Sequence, residues 1–368
     1  MALEQRTGQG VKPPDILIPR TELYPERELV VAHSLRAVQA AAISAHNNIF
    51  VLVGSEPEQT NLPPEEKFRR EEIIDNDATK FFIRSLESAP FLFIGIDAEG
   101  AKEAQEGKAG IIMDLAIGTY GSGEKMVCFV VDVVEGTTAA THGRPNAWSI
   151  MAVAPVGGIT PIPEDEGRKI NYFQKLFAPA AFEKSISIDR PTIDNLRSIT
   201  RAAQIRPSDI TVAIMDPETR PANVTITQKA HDFGAKVETF SAGDFAWSLR
   251  AINSDPEKPI IVMGRGGAEE GSIAAVAARA IGATCQLRYI SHANKASDLE
   301  TLGGDRKIWT AKDFVPAQPD DCLVLGSAIT KNEHFDIGAV RKRPFAYSVQ
   351  TLVVDSNGFN IRTDEVAA

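Results

Sequence analysis

From residue 209 onward the chain alternates short apolar runs with amphipathic or small-residue stretches, and this alternation narrows the possible folds more than any other feature. DITVAIM (209–215) reads as a strand ending at Asp216, and residues 222–233 read as a helix closed by Gly234. AKVETFS (235–241) reads as a strand ending near Asp244, and Phe245–Asn253 as a helix. PIIVM (259–263) reads as a strand running into the loop Gly264-Arg265-Gly266-Gly267-Ala268-Glu269-Glu270-Gly271, and Ser272–Ile281 as a helix stopped by Gly282. Such an order implies a parallel or mixed sheet flanked by helices. Ligands in such sheets bind at the carboxyl ends of the strands. Asp216, Asp244 and Glu270 each fall at or just after such an end. One acidic residue there would be an ordinary helix cap, whereas three in succession point to a cleft. The Gly-rich loop is neither a Walker motif nor a dinucleotide fingerprint. It does precede a helix start, where backbone N–H groups and the helix dipole favour an anion such as phosphate.

The first half carries the sharpest chemical signal. The apolar run Met126–Val131 reads as a buried strand that stops at Asp132, with Glu135, Gly136, Thr137 and Thr138 in a tight turn behind it. Two carboxylates this close repel unless cations lie between them. Hard divalent cations such as Mg²⁺ take oxygen ligands of this kind and keep positions open for water and phosphate oxygens. Gly136 lets the backbone approach a ligand closely, and Thr137 supplies a hydroxyl beside it.

A length of 368 residues suggests two sub-domains, and 43% hydrophobic with 24% charged residues is the make-up of a soluble globular protein. The net charge of −10 argues against nucleic acid or an anionic membrane as a partner. Cys128, Cys285 and Cys322 form no C-x-x-C pattern, which indicates a reducing, cytoplasmic compartment and no structural zinc. The opening MALEQRTGQG has no signal-peptide pattern, and no apolar run approaches the ~20 residues of a membrane helix. Residues 1–25 read as an extended Pro-containing arm. A helix is expected over Glu26–His46 with Val31, Leu35, Val38 and Ala42 on one stripe, and another over Glu65–Glu87. Residues 55–64 read as a loop. Strands are expected at 91–95, 111–118 and 147–154.

Taken together these pieces resemble the class II (bacterial-type) fructose-1,6-bisphosphatases of the lithium-sensitive sugar/inositol phosphatase superfamily. The family's Asp-Pro-Ile-Glu-Gly-Thr corresponds to Asp132-Val-Val-Glu135-Gly136-Thr137, and Gly-Gln-Ala-Asn-Ala to Gly143-Arg-Pro-Asn146-Ala147. Tyr-Met-x-Lys-Leu corresponds to Tyr172-Phe-Gln-Lys175-Leu176, and Gly-Gly-Ala-Pro-Glu-Gly to Gly266-Gly267-Ala268-Glu269-Glu270-Gly271. Ala328-Ile-Thr-Lys331 through Val354 is similar to the family's C-terminal segment. The resemblance implies a layered α-β-α-β-α fold of two sub-domains, with mixed sheets flanked by helices. It implies an arm over 1–25, a metal-binding sub-domain over 26–183, a second α/β sub-domain over 184–334, and a segment over 335–368 returning to the first. It further implies Mg²⁺ or Mn²⁺, a small sugar phosphate as substrate, no nucleic-acid or membrane partner, and a homo-oligomer (dimer or tetramer). The activity implied is metal-dependent hydrolysis of a sugar phosphomonoester in carbohydrate metabolism, with Asp132, Glu135 and Glu270 as metal ligands and Thr137 and Asp132 catalytic. Glu135, Gly136, Thr137, Tyr172, Gly243, Asp244 and Gly267 would line the substrate.

The chain departs from the family pattern at four places. A family metal-ligating Glu falls on Ile96, with Asp97 next to it as a substitute reached by a small backbone shift. A helix-borne Asp falls on Asn76, between Asp75 and Asp77, with Asp75 expected as the metal ligand in its place. Asp-Gly-Asp has become Ala242-Gly243-Asp244. The basic Lys/Arg-Pro-Arg-His segment has become Asp216-Pro217-Glu218-Thr219-Arg220, so Arg220 or Arg265 would have to meet a second anionic group. Two readings follow: a sugar phosphatase of altered preference, or a catalytically degenerate relative that binds sugar phosphate and regulates. An inositol or nucleotide monophosphatase ranks below both.

Overall fold

Every second residue of the run at 126–131 faces a different core. Val127, Phe129 and Val131 pack in one apolar cluster, and Cys128 and Val130 in another. A strand buried on both faces has no polar alternation, which is why the run is continuous. The computed structural model describes residues 23–53, 62–98, 118–162, 164–165, 168–169, 172–290 and 307–368. The expected arm, the 55–64 loop and the 111–118 strand lie wholly or largely outside these residues.

Two helices come first, α1 (Arg27–Leu52) and α2 (Pro64–Glu87). Strands β1 (Leu92–Ala98), β2 (Thr119–Gly121) and β3 (Met126–Glu135) lead to the short α3 (Thr137–Thr141), β4 (Trp148–Pro155), a small ribbon of β5 (Glu164–Asp165) and β6 (Arg168–Lys169), and β7 (Tyr172–Ala178). Alternation then begins: α4 (Thr192–Ala203), β8 (Thr211–Met215), α5 (Val224–Phe233), β9 (Lys236–Phe240), α6 (Asp244–Ile252), β10 (Ile260–Gly267), α7 (Ala268–Ile281) and β11 (Thr284–Ile290). The chain closes with β12 (Trp309–Thr310), α8 (Ala311–Phe314), β13 (Leu323–Ala328), β14 (Arg341–Lys342), β15 (Ala346–Asp355) and β16 (Gly358–Ala367).

One sheet has the order β14-β15-β13-β4-β3-β1-β2, with β16 paired to β15; the other runs β12-β11-β7-β10-β8-β9. Both are mixed: β1–β3, β8–β9 and β8–β10 are parallel, and the β4, β7 and β13 pairings are antiparallel. Helices α1 and α2 cover the outer face of the first sheet, where Val38, Ala42, Ile74 and Phe82 meet Phe93 and Phe129. Between the sheets lie α6 and α7, whose Leu249, Ala274 and Ala277 share one cluster with Trp148 and Ile150 on one side and Phe173 and Leu287 on the other. Helices α4 and α5 cover the outer face of the second sheet through Leu196, Ile199 and Ala230 against Val212 and Ile214. These layers make an α-β-α-β-α sandwich. Helix α7 has sheets on both sides, so it is apolar around its circumference and built from small residues that admit both sheets closely.

Several expectations are corrected. The strand does not stop at Asp132 but continues through Glu135. Gly264–Gly267 is not loop but the end of β10, and α7 starts at Ala268, which places Glu269 and Glu270 in its first turn. Helix α1 runs six residues past His46, because Ile49 is still buried and Asn47 and Asn48 bond to Tyr347 Oη and the Ile73 carbonyl. Strand β7 (172–178) pairs within the second sheet and β13 (323–328) within the first. The three cysteines are buried and free. No helix among the described residues is long and apolar enough to cross a membrane.

Candidate active site

Both strands that carry first-half carboxylates are bulged next to them. Along β3–β4 the register shifts between Asp132 and Glu135, so Asp132 lies opposite Ile150 and Glu135 opposite Trp148. The extra residue turns the two side chains toward one point, a common use of bulges. The Val134 N–H donates to Asp132 Oδ1 at 3.0 Å and fixes that carboxylate. Gly136 then takes φ 82°, and a Cβ there would stand 2.9 Å from the Asn146 carbonyl oxygen, so the turn into α3 requires glycine. Thr137 is the first helical residue, and its hydroxyl donates to the Val134 carbonyl at 2.8 Å. The hydroxyl proton is thereby occupied, which leaves the oxygen to accept from a water or ligand.

The third carboxylate arrives from the first turn of α7, just past the end of β10. Oxygens of Asp132, Glu135 and Glu270 all lie within 4.8 Å of one another. Asp132 and Glu135 are buried and Glu270 is half-buried. Glu270 Oε2 has no hydrogen-bond partner among the described residues. Burial pushes the Glu270 carboxyl above the usual carboxylate range; Lys175 draws it back, and Asp244 adds to the rise. A compact set of hard oxygen donors with an orphaned buried oxygen fits a divalent cation of the Mg²⁺ or Mn²⁺ class.

The Gly-Gly pair has a packing reason. A Cβ on Gly267 would stand 1.9 Å from Glu270 Oε2, and one on Gly266 would stand 2.0 Å from Asp244 Oδ2. The two glycines therefore make room for two carboxylates. Asp244 is not open to solvent: its Oδ2 accepts from Lys175 Nζ at 2.5 Å, with side-chain exposures of 4% and 2%. Gly243, expected to line the substrate, precedes α6 at φ 85°, close to the His334 ring.

Of the expected basic and aromatic groups, Arg220 and Tyr172 lie beside the carboxylates, whereas Arg265 alternates onto the face of β10 that carries Ile261 and Met263. Tyr172 is opposite Gly267 across β7–β10, and Arg265 is opposite Gln174. The Arg220 guanidinium stands 5.3 Å over the Tyr172 ring and is close enough to Glu270 to act on its carboxyl. Arg220 Nε is buried with no hydrogen-bond partner among the described residues. The acidic turn in front of it is self-capped, with the Glu218 N–H on Asp216 Oδ1 at 2.8 Å and Arg220 N–H on the Asp216 carbonyl.

Asp97 and Asp75 are not in the cluster of three. Asp97 is nevertheless buried, and β1 is bulged at Ile96: Gly95 pairs with Phe129 and Asp97 with Val130. The bulge carries Asp97 into the position that an unbroken ladder would give Ile96, one strand over from Asp132 and on the same face. Asp75 lies half-buried on α2, whose Asp77 is engaged with Asn48 and Lys80.

Two neighbours of the site received no role from the sequence, Lys175 although it falls in a family motif. Lys175 occurs in an apolar strand, YFQKLFA, and a lysine in such a run is itself a sign of a buried partner. Asn223 is fully buried and ties the Met215 carbonyl to the Arg265 N–H, locking the Arg220 and Arg265 segments together. Nothing local in the sequence marks it.

Comparison with known proteins identifies a family. The model of the family "bacterial fructose-1,6-bisphosphatase, glpX-encoded" matches residues 71–366. The fructose-1,6-bisphosphatase class 2 of Haemophilus influenzae is 32% identical over 180 residues, 49% of this chain and 51% of that protein. The D-fructose 1,6-bisphosphatase class 2/sedoheptulose 1,7-bisphosphatase of Synechococcus sp. (strain JA-3-3Ab) is 32% identical over 161 residues, 44% and 43% of the two chains. This chain thus spans about half the length of the curated relatives it matches. Among solved structures it is similar to the extragenic suppressor protein suhB of Bartonella henselae, at 14% identity and a TM-score of 0.30 over 62% of this chain and 73% of that one, a likeness that assigns nothing further. With a family match that takes in Asp132, Glu135 and Glu270, this chain belongs to the glpX-encoded bacterial fructose-1,6-bisphosphatase family.

Proposed function

We propose that the chain is a divalent-metal-dependent phosphatase that hydrolyses the phosphomonoester of a sugar phosphate or bisphosphate. The observation that carries this reading is the convergence of Asp132 and Glu135 of β3 and Glu270 of the first turn of α7 within 4.8 Å. These three would hold Mg²⁺ or Mn²⁺, and Asp97, brought into register by its bulge, would extend the set toward β1. A cation bound there polarises phosphoryl oxygens and lowers the pKa of water. Thr137, its proton committed to Val134, accepts a hydrogen bond from the attacking water and orients it. Gly136 keeps side chains out of the path of the substrate. Tyr172 and Arg220 form one wall of the cleft.

The fate of the second anionic group follows from the same wall. Pro217, Glu218 and Thr219 cap their own turn and offer no cation, whereas Arg220 does. Fructose 1,6-bisphosphate is therefore not expected to be the best substrate, since each lost charged hydrogen bond costs about 1.5–3 kcal/mol. Phosphate release from fructose 1,6-bisphosphate, sedoheptulose 1,7-bisphosphate and several sugar monophosphates, each with Mg²⁺ and with Mn²⁺, tests both statements. Asp132→Asn should fold normally, bind Mn²⁺ more weakly by calorimetry and release no phosphate. No turnover of any of these compounds by the unaltered protein would support the binding-and-regulation reading, and fructose 1,6-bisphosphate outperforming the rest would refute the account of residues 216–220.

A further inference from the structure

The segment Ala242-Gly243-Asp244 at the start of α6 has little to offer a sugar. Residue 242 is an alanine, Gly243 has no side chain, and the Asp244 carboxylate is turned inward onto Lys175 Nζ at 2.5 Å. Sugar hydroxyls give up water on binding, and each one left unmatched counts against the complex. A sugar beside Gly243 must therefore find its hydrogen bonds on another part of the chain. A Cβ on Gly243 would meet one neighbouring atom within 4 Å among the described residues, His334 Nε2 at 3.8 Å.

The loop that carries His334 is fastened to the Glu135–Thr137 turn. The Asn146 N–H donates to the Lys331 carbonyl at 2.8 Å, the Glu333 N–H to Asn146 Oδ1 at 2.7 Å, and the Ala147 N–H to Thr330 Oγ1 at 3.0 Å. The carbonyl oxygen of the same Asn146 lies against Gly136. Asn146 has φ 77°, a costly conformation for a residue with a side chain, and these bonds hold it there. Within the loop, the buried Asn332 accepts at Oδ1 from the N–H groups of His334 and Phe335, at 3.0 and 3.2 Å. Phe335 packs on Trp148, which lies opposite Glu135. His334 thus stands on a braced loop between the carboxylate turn and the start of α6.

The ring itself is held by Trp247, one turn into α6, which meets it edge-on with 5.4 Å between centroids. That indole is in turn stacked on Phe240 at 5.7 Å and carries the Arg250 guanidinium 4.2 Å from its centroid. His334 is half-buried, and its ring nitrogens have no hydrogen-bond partner among the described residues. Burial, and then Arg250, hold its pKa below the ordinary 6.5 against the opposite pull of Glu333, so the ring is neutral at pH 7. A neutral imidazole has one donor and one acceptor nitrogen. That suits a hydroxyl, which both donates and accepts, better than it suits a phosphate.

We infer that His334 is a specificity-determining residue of the cleft, its Nε2 hydrogen-bonding a hydroxyl of the bound sugar where Ala242 leaves no polar group. This role rests on the sugar-phosphate reading of the cleft, but it is tested by binding, apart from catalysis. The experiment is calorimetric titration of the Mn²⁺-loaded protein carrying Thr137→Ala to slow turnover. The titrants are fructose 6-phosphate, glucose 6-phosphate, sedoheptulose 7-phosphate and inorganic phosphate. Adding His334→Ala should weaken the best-bound sugar phosphate roughly tenfold, as for one lost hydrogen bond, and inorganic phosphate less than twofold. His334→Gln, which keeps a donor and an acceptor on the side chain, should recover most of that loss. This pattern of binding with no turnover by the unaltered protein would refute the phosphatase reading and leave the role of His334 standing. No binding of any of the three sugar phosphates, an unchanged affinity in His334→Ala, or an equal loss for inorganic phosphate would each overturn the inference.

Discussion

Replacing Lys175 by methionine should be among the most damaging single changes outside the carboxylate cluster. The ammonium is 2% exposed and Asp244 is 4% exposed, with 2.5 Å between Nζ and Oδ2, so solvent does almost nothing to screen the pair. Methionine fills a similar volume but leaves Asp244 as an uncompensated buried charge, with Glu270 close by. Breaking a buried pair from one side costs about 3–5 kcal/mol, a large part of the roughly 5–15 kcal/mol that holds a domain together. Removing both charges, Lys175→Met with Asp244→Asn, should recover most of the loss, because no buried ion then lacks a partner. The assay is urea unfolding without divalent cations, read by far-UV circular dichroism and by fluorescence of Trp247, which shares a helix with Asp244. Lys175→Met should lower the midpoint at unchanged slope, and the double variant should fall between it and the wild type. If Lys175→Met lost less than about 1 kcal/mol, or if the two substitutions were additive, the claim that this pair is desolvated and coupled would be wrong.

The other predictions concern the site and the acid limb of stability. Gly267→Ala should displace the Glu270 carboxylate, which a Cβ would approach to 1.9 Å; a weaker Mn²⁺ affinity by calorimetry, with a fold close to wild type by circular dichroism, is the expected outcome. Thr137→Ala should lower kcat by about 10²-fold with KM little changed, as for loss of a group that orients the nucleophile. Glu66 at the start of α2 is held down to about 2 by hydrogen bonds from Arg69 and then Arg70. Its folded pKa is depressed, so its contribution is present above the ordinary value of about 4.5 and is lost as pH falls toward 2. Acid titration of helical content should show a shallower loss over that window in Glu66→Gln than in the wild type.

Much of this protein was legible in its sequence because the signals are local. Helices over 222–233 and 245–253 and the strand between them follow from period and punctuation, and each starts and ends within two residues of expectation. The Asp132–Thr137 motif likewise carries its chemistry in Asp132, Glu135 and Thr137 around one obligatory glycine, Gly136. Local pattern could not show where an element ends when its neighbours hold it in place. Gly264–Gly267 reads as loop because glycine favours loops, yet pairing with β7 keeps it in the sheet. Nor could it show which sheet a strand joins: β7 and β13 are apolar runs like any other, and only long-range pairing assigns them. The bulge at Ile96 that moves Asp97, the meeting of Glu270 with Asp132 and Glu135, and the burial of Asp244 on Lys175 all depend on residues tens to more than a hundred positions apart. The sequence by itself determined the layered class, the family and the residue types of the site. Only the tertiary structure decided which carboxylates converge and which are neutralised by a lysine, because those outcomes are set by through-space distance and desolvation, which sequence order does not record.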